Sequence, residues 1–208
     1  MSVQELYDQA AHRYDDIVEK TNYFGPVWLN RELDRTKKPE RILDLGCATG
    51  TLGVVLKQAY PGAEITGVDI SPRMIELADK RGCYSGVLVR DLNEALAFSD
   101  DSFDLVVALG FMEFLEDPIS TLKEVNRVLK PGGTVLVSFQ EHWLDKPELA
   151  PRTTRSGVVS HHAYTLEESI DLLKTSGMEV ISAISEIGYT SSAGFSCPYV
   201  FCKGEATR

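Results

Sequence analysis

The segment Ile42-Leu43-Asp44-Leu45-Gly46-Cys47-Ala48-Thr49-Gly50-Thr51-Leu52-Gly53 constrains the fold of this chain more than any other. An apolar run ends in a glycine-punctuated turn and passes straight into a helical pattern. This is the arrangement that lets a ligand approach the backbone at a helix N-terminus. About twenty residues beyond the turn, Asp69 ends a second apolar run, Ile65-Thr66-Gly67-Val68. An acid at that position is placed to hydrogen-bond a ribose diol.

The surrounding pattern extends this unit into a sheet. Arg41–Leu45, Ala63–Val68, Gly86–Val89, Phe103–Leu109 and Thr134–Phe139 read as strands, several nearly continuous in apolar residues. Such runs suit parallel strands covered on both faces. Between them lie helix patterns: Leu52–Ala59, Pro72–Arg81 opened by Ser71, and Pro118–Leu129 opened by Asp117. Lys130-Pro131-Gly132-Gly133 predicts a helix end and a turn into the next strand.

Leu6–Val18 and Pro26–Lys37 read as two helices carrying Tyr7, Tyr14, Tyr23, Phe24 and Trp28 on or between them, an N-terminal cap. Glu141–Ala163 has little periodicity and is expected to form a lid. Thr165-Leu166-Glu167-Glu168 is a capping box that starts a helix to Thr175. Strands Glu179–Ile187 and Tyr199–Lys203 close the chain. The fold class expected is α/β: a Rossmann-like, seven-stranded, mostly parallel sheet with helices on both faces, the last strand antiparallel, and the helical cap. With 208 residues, one domain is expected: 1–38 cap, 39–139 cofactor-binding core, 140–163 lid, 164–208 C-terminal helix and strands.

Charge narrows the partners. A formal net charge of −10 repels phosphate backbones, so no nucleic acid is expected. The N-terminus lacks a basic segment followed by an apolar one, and no apolar run approaches the ~20 residues of a membrane span. A cytoplasmic protein with no membrane association is the expectation. Cys47, Cys83, Cys197 and Cys202 lack metal-site spacing and read as reduced thiols, with no metal expected. On one strand, Cys197 and Cys202 would face opposite sides.

Asp44 discriminates among cofactors at this stage. A carboxylate beside the glycine turn repels the pyrophosphate of NAD or FAD but suits the ammonium and sulfonium charges of S-adenosylmethionine (SAM). At this point the chain resembles the class I SAM-dependent methyltransferases, in their small-molecule, type-11-like branch. Asp44-Leu45-Gly46-Cys47-Ala48-Thr49-Gly50 is similar to the family's D-x-G-x-G-x-G, with Ala48 in place of one glycine. Val68-Asp69-Ile70-Ser71, Val89-Arg90-Asp91-Leu92 and Leu129-Lys130-Pro131-Gly132-Gly133 follow in the family's order.

The resemblance implies SAM as cofactor and transfer of its methyl group to an N, O, S or C atom of a small-molecule acceptor, releasing S-adenosylhomocysteine. It implies that Asp69 holds the ribose hydroxyls, Ile70 lies against adenine, Asp91 accepts from the adenine amino group, and Leu92 offers a backbone donor. Gly46, Cys47, Ala48 and Gly50 would form the turn against the cofactor, and Ala108 would begin the methionine side. Tyr14, in Arg13-Tyr14-Asp15, would close over it. Replacing a glycine by Ala48 is mild provided that this position needs no positive φ.

For catalysis, His161, His162 and Tyr164 at the end of the lid are the candidates for a general base. Arg152 and Arg155 are candidates for clamping an acidic acceptor. Glu113 and Glu116 read as ordinary helix or loop acids. Alternatives are a protein or tRNA acceptor, a SAM-binding partner subunit without turnover, and a nicotinamide oxidoreductase. The identity of the acceptor and the oligomeric state are left open.

Overall fold

Alternate residues of the apolar runs feed two cores, which is why so few polar residues interrupt them. The structure, a computed structural model, describes residues 1–145, 153–156, 159–190 and 194–207. Its sheet contains β1 (Arg41–Leu45), β2 (Glu64–Asp69), β3 (Gly86–Val89), β4 (Phe103–Ala108), β5 (Leu129–Gln140), β8 (Met178–Thr190) and β9 (Ser196–Ala206). The strand order is β3-β2-β1-β4-β5-β9-β8. β1 through β5 pair in parallel, while β9 runs antiparallel to both β5 and β8. The expected seven-stranded sheet with an antiparallel last strand is thus the observed one.

Leu43, Leu45, Val106, Val135, Val137, Val200 and Cys202 face one core, closed by Leu122 and Val125 of α6 (Pro118–Val128) and Leu173 of α7 (Leu166–Thr175). Ile42, Leu105, Val107, Leu136 and Phe201 face the other. That core is closed by Trp28 and Leu29 of α3 (Gly25–Glu32) and by Leu52 and Leu56 of α4 (Thr51–Ala59). Within β9, Cys197 packs with the second core and Cys202 with the first, as an odd spacing on a strand requires. All four cysteines are free thiols.

The strand edges and caps follow the sequence closely, except that β8 runs on to Thr190 and β9 extends three residues beyond the expected strand at each end, and with five further departures. The first cap helix is broken: α1 covers Val3–Ala10, a 3-10 turn Ala11–Arg13, and α2 Tyr14–Lys20. Two acids, one on each side of the break, make different tertiary bonds. Asp8 accepts from the Ser71 hydroxyl and the Arg73 N–H at the start of α5 (Pro72–Lys80), while Asp15 accepts from the Thr49 hydroxyl and pairs with Arg81. The second cap helix ends at Glu32 rather than Lys37. Leu33 turns extended to bury its side chain, and Asp34 caps its own turn by accepting from the Thr36 N–H and hydroxyl at 2.9 and 2.6 Å.

β2 sits one residue later than its apolar run, ending on Asp69. Lys130–Gly133 does not separate helix from strand. Strand β5 begins at Leu129, opposite Phe103, and the register shift before Leu105 absorbs the extra residues, with Gly132 at φ +70°. In the expected lid, Thr153–Ser156 and Val159–His162 form the hairpin β6–β7. The chain on either side of it is pinned where His142 N–H donates to Tyr164 and Tyr164 N–H donates to Gln140, both at 2.9 Å. Among the described residues, no helix is long and apolar enough to cross a membrane.

Candidate active site

The carboxyl ends of β1, β2 and β4 open into one cavity of about 610 Å³, roofed by α1 and α2. Parallel strands bring it about, because each one ends at the same edge and hands its loop to the same crevice. Gly46, Ala48, Asp69, Ile70, Asp91 and Leu92 line one side of the cavity; Leu109, Gly110, Phe111, Glu113, Tyr189 and Tyr199 line another, with Tyr7, Tyr14 and Tyr23 over them.

The glycine turn is held by backbone. Gly46 and Cys47 N–H groups both donate to the Val68 carbonyl, at 2.8 and 3.0 Å. Gly46 has φ +68°, and a Cβ there would lie 2.7 Å from the Phe111 ring. Gly50, at φ +92°, opens α4 in the left-handed region. Ala48 also has a positive φ, +46°, so the missing glycine is missing at a position that does need one; the turn accepts a conformation that costs an L-residue about 1 kcal/mol or more. What holds Ala48 there is its N–H, which donates to Asp69 Oδ2 at 2.9 Å. The other oxygen of Asp69 accepts from Ser71 N–H at 2.9 Å. Burial raises the Asp69 carboxyl above its ordinary range, against the pull of those N–H groups.

Asp91 anchors the next loop by accepting from the N–H and side-chain amide of Asn93, both at 2.9 Å. Tyr14, which opens α2 in the cap, lies with its ring edge to Tyr7, 6.0 Å between centroids. Four of the residues expected at the cofactor do not line this cavity, among them Gly50, whose Cα faces Tyr84, Arg81 and Ala78. Ala108 is buried in the core, with Leu109 and Gly110 lining the cavity in its place. Cys47 packs its buried thiol against Ile75 and Ala78. Asp44 is fully buried below the turn, where Tyr84 donates to its Oδ2 at 2.6 Å; Tyr84 reaches it by lying across Gly53 and Gly67. Burial pushes the Asp44 carboxyl up to about 7, with the Tyr84 hydrogen bond opposing and the Asp69 charge adding.

The sequence argument that set Asp44 against a pyrophosphate therefore loses its geometry, since Asp44 is not on the cavity wall. A broader one replaces it. The wall carries Asp69, Asp91, Glu113 and Glu116 and, among the described residues, no lysine or arginine. That field disfavours phosphate as Asp44 was expected to do.

Of the three base candidates only His161 reaches the cavity. It stacks edge-on to Phe114, 4.7 Å between centroids, and its Nε2 is buried with no partner; burial lowers its proton affinity. His162 is exposed, and Tyr164 packs on Phe139 at 5.8 Å. Arg152 lies outside the described residues, and Arg155 is on β6.

Glu113 corrects the sequence reading most sharply. It sits in a 3-10 turn, Met112–Phe114, just past β4, and is 3% exposed, not a surface acid. Tyr199 of β9 donates to its Oε1, while its Oε2 is buried and has no partner. Burial raises its carboxyl, with Tyr199 opposing. The signal available was its setting, Phe111-Met112-Glu113-Phe114-Leu115, an acid with apolar neighbours on both sides at a strand's carboxyl end. Tyr7, Tyr23, Tyr189 and Tyr199 had no such signal, since they come from four distant segments.

Residues 43–137 match the family model described as "Methyltransferase domain". The chain is 39% identical over 140 residues to demethylmenaquinone methyltransferase of Thermus thermophilus, covering 64% of this chain and 63% of that protein. It is 36% identical over 138 residues to malonyl-[acyl-carrier protein] O-methyltransferase of Hahella chejuensis, covering 65% of this chain and 48% of that protein. The chain thus spans less than two thirds of either relative. Among solved structures, one chain of the Haloferax volcanii complex that contains the Trm112 methyltransferase activator superposes with a TM-score of 0.77, covering 100% of this chain and 98% of that one. At 20% identity, this is a likeness of fold.

Proposed function

We propose, from the match of residues 43–137 to the methyltransferase-domain family model, that the chain transfers the methyl group of SAM to a small-molecule acceptor and releases S-adenosylhomocysteine. One observation carries this reading: the turn residues Gly46 and Ala48, the β2 acid Asp69 with Ile70, and Asp91 with Leu92 all line a single cavity, although they come from three separate loops.

In this reading Asp69 accepts from the ribose hydroxyls. Each of its oxygens takes one backbone N–H and keeps a lone pair for a second donor. Ile70 lies against the adenine, Asp91 accepts from the adenine amino group, and the Leu92 backbone donates beside it. Gly46 lets the turn lie directly against the Phe111 ring, which a Cβ would meet at 2.7 Å, and in this reading the methionine portion lies along the cavity wall that the two residues share. Tyr14 covers the cofactor from the cap. SAM, when bound, supplies a methyl group activated by its sulfonium.

The protein's own contribution is to hold an acceptor in line with that methyl group and to keep water out. Positioning of this kind can contribute ~7–11 kcal/mol to a displacement. A small acceptor is favoured by the cap: α1 and α2 roof the cavity, and Asp8 and Asp15 tie them to the rim.

Calorimetric titration with SAM, S-adenosylhomocysteine and NADH tests the reading. Micromolar binding of the first two without NADH is expected, followed by acceptor-dependent release of S-adenosylhomocysteine. Failure of both SAM and S-adenosylhomocysteine to bind overturns it.

A further inference from the structure

The geometry points to a protonated amine as the methyl acceptor, held by Glu113 within a box of tyrosine rings. This deepens the methyltransferase reading and rests on it. Glu113 lies in the cavity wall, and its Oε2, buried within that wall, has no protein partner. Leaving a carboxylate oxygen buried and unmatched costs free energy, and an ammonium N–H is the donor that best offsets it.

The surroundings select the same charge. Tyr7, Tyr14, Tyr23, Tyr189 and Tyr199 line the cavity, and the charge of Glu113 raises the proton affinity of every one of these five hydroxyls. Five electron-rich rings and a carboxylate lining one cavity suit a cation, because ring faces and carboxylate attract the same positive head. Phe111 and Phe114 supply apolar wall for a substituent. An acidic acceptor meets the reverse: four lining carboxylates and, among the described residues, no lysine or arginine.

The reaction balances as follows. The bound R–NH3⁺ gives one proton to the Glu113 carboxylate, and the freed nitrogen lone pair forms a bond to the methyl carbon. The carbon–sulfur bond breaks with its electron pair going to sulfur, leaving neutral S-adenosylhomocysteine. The product R–NH2⁺–CH3 departs, and Glu113 returns its proton to water. The raised proton affinity that burial gives Glu113 suits it to the first of these steps.

The test is calorimetric titration of the protein, with and without saturating S-adenosylhomocysteine, using matched pairs: phenethylamine against phenethyl alcohol, tryptamine against tryptophol, butylamine against butanol. At least one amine is expected to bind about tenfold or more tightly than its alcohol. Glu113→Gln, nearly isosteric, is expected to bring that ratio close to one, whereas Tyr199→Phe, which leaves the carboxylate in place, keeps it. No preference for any amine overturns the inference, as does a preference that survives Glu113→Gln or is lost equally in Tyr199→Phe. If S-adenosylhomocysteine fails to bind, the methyltransferase reading falls separately, and the amine-to-alcohol ratio of the cofactor-free protein still decides the acceptor site.

Discussion

The cavity has two halves that are built from opposite materials. On the side of the glycine turn, the groups that fix the geometry are backbone: Gly46, Cys47, Ala48 and Ser71 N–H groups bind the Val68 carbonyl and the Asp69 carboxylate. On the side of Glu113 they are side chains: a carboxylate, four tyrosines besides Tyr14 and a histidine drawn from the cap, the β4 loop, the hairpin and β8–β9. The two buried acids show the contrast. Both oxygens of Asp69 are engaged by N–H donors within the protein, whereas Glu113 has one oxygen engaged and one free. A half built from backbone can serve one constant ligand, and a half built from side chains can change its specificity one residue at a time without disturbing the first.

Breaking the backbone half should have the largest effect. Gly46→Arg places a side chain where even a Cβ meets Phe111 at 2.7 Å, at φ +68°. A loss of S-adenosylhomocysteine affinity of ~100-fold or more is expected by calorimetry. Asp69→Ala leaves the Ala48 and Ser71 N–H groups without their acceptor, and is expected to cost about 10–100-fold. If Glu113→Gln harms cofactor binding as much as Asp69→Ala does, the division of the cavity is wrong.

Beneath the turn, Asp44 sharpens the comparison through pH. Its folded-state proton affinity, about 7, lies above that of an unfolded aspartate. Its protonated form is therefore the one that folding favours. The stability it contributes is complete below the ordinary carboxylate range and is lost as pH rises towards about 7. Asp44→Asn should flatten the fall in stability between those limits by about 4 kcal/mol relative to the unsubstituted chain, read from urea midpoints across that window. Parallel pH profiles for the two proteins would show that Asp44 is not the group responsible.

The smallest effect belongs to Ala48. With φ at +46°, Ala48→Gly relieves strain and is expected to add about 1 kcal/mol, or ~2–4 °C in Tm by differential scanning calorimetry. An unchanged or lower Tm would mean that the loss of side-chain constraint in the unfolded chain outweighs the relief.

The backbone half was largely legible in the sequence, whereas of the side-chain half His161 was singled out and Glu113 was not, for a physical reason. Gly46, Gly50 and Asp69 occupy one βαβ unit, where local rules connect residue type to conformation: glycine where φ is positive, an acid where a strand ends. Even there the sequence misjudged Asp44 and Ala48. Whether Asp44 faces the cavity depends on Tyr84, forty residues away, and the positive φ of Ala48 is held by the Asp69 carboxylate. The broken cap helix has the same origin, since Asp8 and Asp15 bond to α5 and to the Thr49–Arg81 edge, which no local pattern reveals.

Two-faced burial of continuous apolar runs, capping boxes and proline-led helices depend on neighbours within a few residues, so the sequence by itself determined the elements, the parallel sheet and the cofactor loop. Tertiary structure alone decided that Glu113 is buried, because Tyr199 arrives from the far end of the chain to meet it and the cap closes above it. Such encounters carry no periodicity. Desolvation changes an ordinary acid into a functional one only once the folded chain has removed the water around it.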